Sequence, residues 1–278
     1  MPARKKTARP DFTTIAGIVI AFGGIIGGLI LEGGKLQDVA QLTAAIIVLC
    51  GTFGAVMVST PLKTLKGAMG RFLRLLQENP DPAGELIEEI IGYATKARKN
   101  GLVSLELDAQ AIEHPFLRKA LNLAVDGTDM QELRTMLELE IELTESRAHG
   151  EAKVFESAGG YAPTIGIIGA VMGLIQVMKN LANIEEVGHG IAVAFVATVY
   201  GVGIANIVLI PAASKIRSRI QREAEIQQLM LEGVIAILEG LNPKLIRSRL
   251  EAFQEPERAA PNKKTRDAAV ANAAAALG

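Results

Sequence analysis

Residues 161–178 read Tyr161-Ala162-Pro163-Thr164-Ile165-Gly166-Ile167-Ile168-Gly169-Ala170-Val171-Met172-Gly173-Leu174-Ile175-Gln176-Val177-Met178. The stretch holds no acidic or basic side chain, and from Ala162 onward it is long enough to cross roughly 30 Å of hydrocarbon, which takes about 17–25 helical residues. Three further runs have the same character, at 15–31, 42–60 and 191–213. Backbone groups in lipid must be paired within the protein, and no strand pattern occurs that could close a barrel. The reading is an all-α chain with four transmembrane helices.

The composition agrees. Hydrophobic residues make up 49% of the chain, aromatics only 4%, and Trp is absent. Apolar residues concentrate in the long runs, with charge-dense stretches between them. A formal net charge of -1 gives no basis for binding nucleic acid. The single cysteine, Cys50, lies inside the second run, which excludes an intrachain disulfide and a metal site built on Cys pairs. Arg4, Lys5, Lys6 and Arg9 precede the first run, as they would a secretory signal. Its apolar core is too long for a signal, however, and Leu31-Glu32-Gly33-Gly34 is no small-x-small cleavage site, so it is read as a span.

Basic residues set the orientation. Arg4–Arg9, then Lys63, Lys66, Arg71 and Arg74 after the second run, then Lys215, Arg217, Arg219 and Arg222 after the fourth, mark the cytoplasmic side. The two short connections, 32–41 and 179–190, carry only Lys35 and Lys179 and are expected to face outward. Both termini and the long middle segment are then cytoplasmic. The segments read as a basic N-terminal extension (1–14), a membrane hairpin (15–60), a helical cytoplasmic domain (61–160), a second membrane hairpin (161–213), C-terminal cytoplasmic helices (214–255) and a flexible tail (256–278).

Within 61–160, Leu86, Ile87, Ile90, Ile91, Ala94 and Ala97 recur at helical spacing, and Asn100-Gly101 supplies a C-terminal cap. A second helix is expected to start near Thr128-Asp129, with Gln131 and Glu132 placed to complete a capping box. Leu133, Leu137, Ile141, Thr144, Ala148, Ala152 and Phe155 then step by three or four residues into the third span. Ile216, Ile220, Gln227, Leu231, Val234 and Leu238 do much the same after the fourth, so both spans are expected to continue as long amphipathic helices that pack together. Leu241-Asn242-Pro243 is expected to end the latter.

Small residues recur in the spans at Gly23, Gly24, Gly27 and Gly28, and again at Gly169 and Gly173. Such spacing lets helix backbones approach closely in lipid. No GxGxxG or Walker sequence occurs, so a phosphate-cradling loop is excluded. Pro163 and Pro211 fall at the cytoplasmic ends of spans three and four. One reading makes them an N1 proline and a helix-end kink, the other a pair of hinges. Thr164, Gln176, Thr198, Tyr200 and Asn206 are the polar side chains of these spans. An intramembrane threonine usually bonds back to its own helix; a polar path nevertheless needs oxygen atoms, and Thr198 lies nearest mid-span. His189 is placed in the outer loop. His114, His149 and His189 do not share a metal spacing, and no nucleophile elbow is present, so no enzyme, cofactor or metal is expected.

Proton and ion relays through membranes use Asp, Glu, His, Lys or Arg within the spans. These spans have none, so if the chain conducts ions another chain must bring the titrating group.

The run from Phe155 to Ile175 resembles the third-span signature of MotA-type flagellar motor stator subunits, within the MotA/TolQ/ExbB proton channel family. Gly188-His189-Gly190-Ile191-Ala192-Val193-Ala194-Phe195-Val196-Ala197-Thr198-Val199-Tyr200-Gly201 resembles the fourth span, and the first span through Glu32-Gly33-Gly34 matches as well. The resemblance implies a bacterial cytoplasmic-membrane protein, five copies of which surround two copies of a MotB-type partner. The partner carries the ion-binding aspartate and a peptidoglycan anchor. It further implies that Pro163 and Pro211 are the torque-linked boundary prolines, that Arg98 and Glu106 engage a rotor switch-complex protein, and that Thr198 lines the ion path. Ala170 stands where sodium-driven relatives have threonine; the missing oxygen ligand favours protons. For Arg98 the alternative is complementation of a helix dipole, and both roles can hold. Rival readings are a TolQ- or ExbB-like energiser of envelope transport, a sodium-driven PomA-type stator, and a membrane scaffold without ion flux.

Overall fold

A computed structural model describes residues 10–78 and 80–254. It is helical throughout, with no strand among the described residues beyond an isolated antiparallel bridge between Pro10 and Gln77. The basic N-terminal residues Arg4–Arg9 and the tail from 256 lie outside the described residues. The chain forms two compact units: residues up to Pro80 with Glu140–Ala224, and Asp81–Leu139 with the residues from Glu225. These units divide the chain differently from the sequence segments, because 61–160 contributes to both.

In the first unit, α1 (Phe12–Leu31) is capped by Asp11, whose carboxylate accepts from Thr14 N at 3.0 Å. A single turn, α2 (Leu36–Val39), leads to α3 (Leu42–Ser59), which ends just before Pro61. Pro61 disfavours the helical conformation in the residue preceding it. The amphipathic α4 (Leu62–Arg74) follows. The third apolar run lies inside a 50-residue helix, α8 (Met130–Lys179). The fourth forms α9 (Ile184–Ile204), a π turn over Ala205–Leu209, and the start of α10 (Ile210–Leu238). The four helices that carry the apolar runs are each long and apolar enough to cross a membrane. Large apolar side chains such as Phe12, Val58 and Phe195 point outward from them, as lipid contact requires. Where the helices emerge, Ala148, Ala152, Phe155 and Ala158 of α8 pack against Ala212, Ala213, Ile216 and Ile220 of α10. Phe72 of α4 stacks on Phe155 with ring centres 5.1 Å apart.

The second unit packs α5 (Ala83–Asn100), α6 (Glu106–Ala111), α7 (Pro115–Val125) and α11 (Pro243–Leu250) with the first turns of α8 and the last of α10. Its core holds Ile87, Ile90, Leu117, Leu121, Leu133 and Leu137, all fully buried. Gly101 closes α5 in the left-handed region (φ 80°), as its sequence suggests. Asp129 caps α8 by accepting from Gln131 N at 2.9 Å.

Several expectations are corrected. Thr144 is exposed, so the apolar stripe of α8 jumps from Ile141 to Ala148. Asn242-Pro243 does not terminate α10; it caps and starts α11, with Asn242 Oδ1 accepting from Lys244 N. The terminator is Gly240 (φ 69°), where Gly240 N donates to Ile237 O and Leu241 N to Ala236 O. Only a residue without Cβ adopts that conformation freely. His189 sits in the second turn of α9 rather than in a loop, because Asn183 already caps that helix by accepting from Glu185 N.

Candidate functional site

The centre of the first unit is the crossing of α8 and α9. A Cβ at Gly166 would lie 2.9 Å from Ala197 O and 3.3 Å from Gly201 Cα; one at Gly201 would lie 2.5 Å from Ala162 O. One at Gly173 would lie 2.7 Å from Gly190 O. Three glycine contacts thus bring the two backbones together over most of the span. The expected pair Gly169 and Gly173 takes part, Gly169 facing the Ala197 methyl. Gly166, Gly190 and Gly201 complete the seam; their signal in the sequence was glycine on both facing helices rather than on one. The glycines of α1 behave differently. Nothing among the described residues lies within 4 Å of a Cβ at Gly23, Gly24, Gly27 or Gly28.

Thr198 borders this seam, its Cα 3.4 Å from the Gly166 Cβ position. Its hydroxyl donates to Ala194 O at 3.2 Å, so the back-bonded reading of the side chain holds, with oxygen lone pairs left over. Ala170 is half-buried one helical turn beyond Gly166. Thr164 donates to Tyr161 O and Asn206 Nδ2 to Val202 O, both within their own helices. Tyr200 alone among the polar span residues reaches another element, donating to Val39 O at 2.5 Å. No group of three or more metal-binding side chains occurs among the described residues.

The two prolines occupy related places. Pro163 lies inside the continuous α8, which overturns its reading as an N1 residue. It cannot donate to the carbonyl of Gly159 four residues back. Gly159 in turn packs on Ile210: an added Cβ would lie 2.7 Å from Ile210 Cγ1. Ile210 precedes Pro211 and donates to Ala205 O, five residues back, closing the π turn. Each helix therefore has one loosened turn, and the two loosened turns touch. The π geometry was not visible in the sequence, since Pro211 alone signals only a missing donor.

Just beyond the prolines, polar contacts anchor α10. Lys215 donates to Asp11 and Thr14 at the start of α1, and its ammonium holds the Asp11 carboxyl well below the usual carboxylate range. Arg219 donates to Arg74 O at 2.7 Å and Gln77 O at 2.6 Å, satisfying carbonyls at the end of α4. Arg71 pairs with Glu151 at 2.7 Å and Glu223 at 3.1 Å, joining α4 to α8 and α10.

In the second unit, Arg98 is exposed in the last turn of α5 and Glu106 exposed in the first turn of α6. Each complements its helix dipole. Neither has an ion-pair partner among the described residues, while the neighbouring Lys96–Asp108 pair, at 2.6 Å, ties the two helices together. The arrangement presents one free positive and one free negative charge on a fixed frame.

The class so defined is a polytopic helical membrane protein whose spans pack backbone to backbone and whose apolar runs hold no Asp, Glu, His, Lys or Arg. Comparison with known proteins narrows it. The model of the MotA/TolQ/ExbB proton channel family matches residues 108–229, and that of the motility protein A N-terminal region matches 15–101. Motility protein A of Bacillus subtilis is 36% identical over 86% of this chain and 89% of its own length. Chemotaxis protein PomA of Vibrio alginolyticus is 32% identical over 87% and 95%. The solved flagellar MotAB stator complex from Bacillus subtilis superposes with a TM-score of 0.82 at 35% identity, covering 88% of this chain and 96% of that one. The chain belongs to the MotA/TolQ/ExbB proton channel family.

Proposed function

We propose that this chain is the A subunit of a proton-driven flagellar stator, working with a MotB-type partner anchored to peptidoglycan in the bacterial cytoplasmic membrane, with both termini inside. The observation that carries this reading is the seam of α8 and α9, a closely packed wall with no acid or base in it. A path along that wall conducts ions only if a second chain supplies the carboxylate. Five copies around a partner dimer would surround that carboxylate. Thr198 would line the path and Ala170 would leave no oxygen for a hard cation, which favours protons over sodium. The facing loosened turns at Pro163 and Pro211 would let the emerging helices shift as the carboxylate changes charge. Arg98 and Glu106 would pass that motion to the rotor switch complex through complementary charges.

Deleting the gene is expected to abolish swimming while filaments still assemble. Normal swimming in a strain lacking all related stator genes would overturn the proposal. Likeness to PomA keeps a sodium-driven stator as the second reading; swimming that tracks sodium concentration rather than pH would favour it.

A further inference from the structure

Beside the π turn, α1, α4 and the start of α10 enclose a cavity of about 510 Å³, within the ~300–1,000 Å³ range of small-molecule sites. Its walls are mostly apolar: Ile18 and Ala21 of α1, Phe72 of α4 and Leu76 just past its end, Ile207 and Pro211 beyond α9. Lys215, held by Asp11, lies at its polar end. Through Leu75 the cavity adjoins a polar cleft lined by Arg71, Arg74 and Arg219 with Glu78 and Glu223. Arg71 and Arg219 are committed to the contacts described above, whereas the Arg74 side chain has no ion-pair partner among the described residues.

The outer face of α4 has matching chemistry. Leu62, Met69 and Leu73 are exposed and fall at steps of seven and four residues, forming one stripe. Lys63, Lys66 and Arg74 line one edge of it, and Ala68 and Leu75 are buried on the far side. An apolar stripe edged with cations is the pattern of a helix lying in the membrane interface. We infer that the cavity takes the acyl chain of an anionic glycerophospholipid, with the phosphate at Arg74 and the surrounding headgroups drawn by Lys63 and Lys66. A span from a second copy of this chain is the weaker fit: it would fill the cavity but bring no anion, because all four apolar runs are uncharged. A phospholipid brings both parts. Bound there, its tail would brace the π turn and Pro211 from outside. The inference rests on the proposed membrane orientation.

Native mass spectrometry of the complex with its MotB-type partner, released from mixed phosphatidylglycerol and phosphatidylethanolamine membranes, tests it. Wild-type complex is expected to retain phosphatidylglycerol on each copy of this chain. Ala21→Phe or Gly17→Leu, which fill the cavity, should strip it. Arg74→Gln should leave lipid bound but reduce the preference for phosphatidylglycerol about fivefold, the weight of one interfacial arginine. Equal retention by wild type and the assembled filled variants would overturn the site. So would an Ala21→Cys cross-link to a second copy, made in a Cys50→Ser background. If neither filled variant assembles, an unchanged lipid preference in Arg74→Gln decides against the site. Proton leak measured on the same preparations separates the two readings: a conducting complex without bound lipid overturns the lipid site alone.

Discussion

At Gly201 an added Cβ would meet Ala162 O at 2.5 Å, whereas at Gly203, two residues on, nothing lies within 4 Å. Gly201→Val is therefore expected to cost about 1–3 kcal/mol through overpacking and to abolish motility, while Gly203→Val leaves swimming near normal. Soft-agar spreading with immunoblots of membrane fractions checks this; equal behaviour of the two variants would contradict the seam. His114 gives a pH test. Burial pushes its pKa down, against a smaller opposing effect of the Glu89 carboxylate, and its buried Nδ1 has no hydrogen-bond partner among the described residues. The folded state then binds the proton less readily than the unfolded chain, whose histidine titrates near about 6.5. Stability is full above that value and falls as the pH drops below it. The melting midpoint should decline between pH 7 and pH 5.5, and His114→Gln should flatten the decline; parallel curves would refute the assignment. Residue-level reading of the sequence succeeded where a side chain's role is local. Asp129, Gly101 and the back-bonded Thr198 are instances. It failed where spacing states a capacity without naming a partner: the glycines of α1 and α8 look alike, yet among the described residues Gly166, Gly169 and Gly173 meet a neighbour and those of α1 do not.

Among the elements, α10 shows most plainly what one-dimensional pattern omits. Ile216 and Ile220 follow the expected stripe, but from Ile226 to Ile237 burial runs nearly all round the helix. Within that stretch Glu232 is buried between Arg134, at 2.8 Å, and Arg249. A charge in the middle of an apolar helix reads as a surface face until α8 and α11 are seen to bring its partners. Glu232→Ala would leave Arg134 only the longer contact to Glu138, at 3.4 Å, and Arg249 only that to Glu239, at 3.3 Å. The cost should approach about 2 kcal/mol, less than the 3–5 kcal/mol of a fully buried pair, because Arg134 and Arg249 keep 26% and 39% exposure. Denaturant midpoints measure it, and an unchanged midpoint would show the network to be idle. The proline-bearing turns make the second prediction. Pro163→Ala restores the donor to Gly159 O and should leave expression and assembly intact while lowering torque at high load. Wild-type torque from tethered cells would remove the hinge role.

On the scale of the whole molecule, the four spans and the long helical extensions were legible because length, absence of charge and apolar period are properties of the sequence itself. The division into two compact units was not, since α8 and α10 each contribute to both and no composition change marks Glu140 or Ala224. The candidate site divides in the same way. The uncharged wall could be read directly, whereas the touching loosened turns at Gly159–Ile210 depend on how two distant stretches pack. The central claim is that this chain forms the wall of an ion path and leaves the titrating carboxylate to its partner. Cytoplasmic acidification during co-expression with a MotB-type partner tests that claim most directly. Acidification is expected with the intact partner, and none when its intramembrane Asp is changed to Asn or when this chain is expressed alone. Acidification that persists without the partner's aspartate would contradict the account.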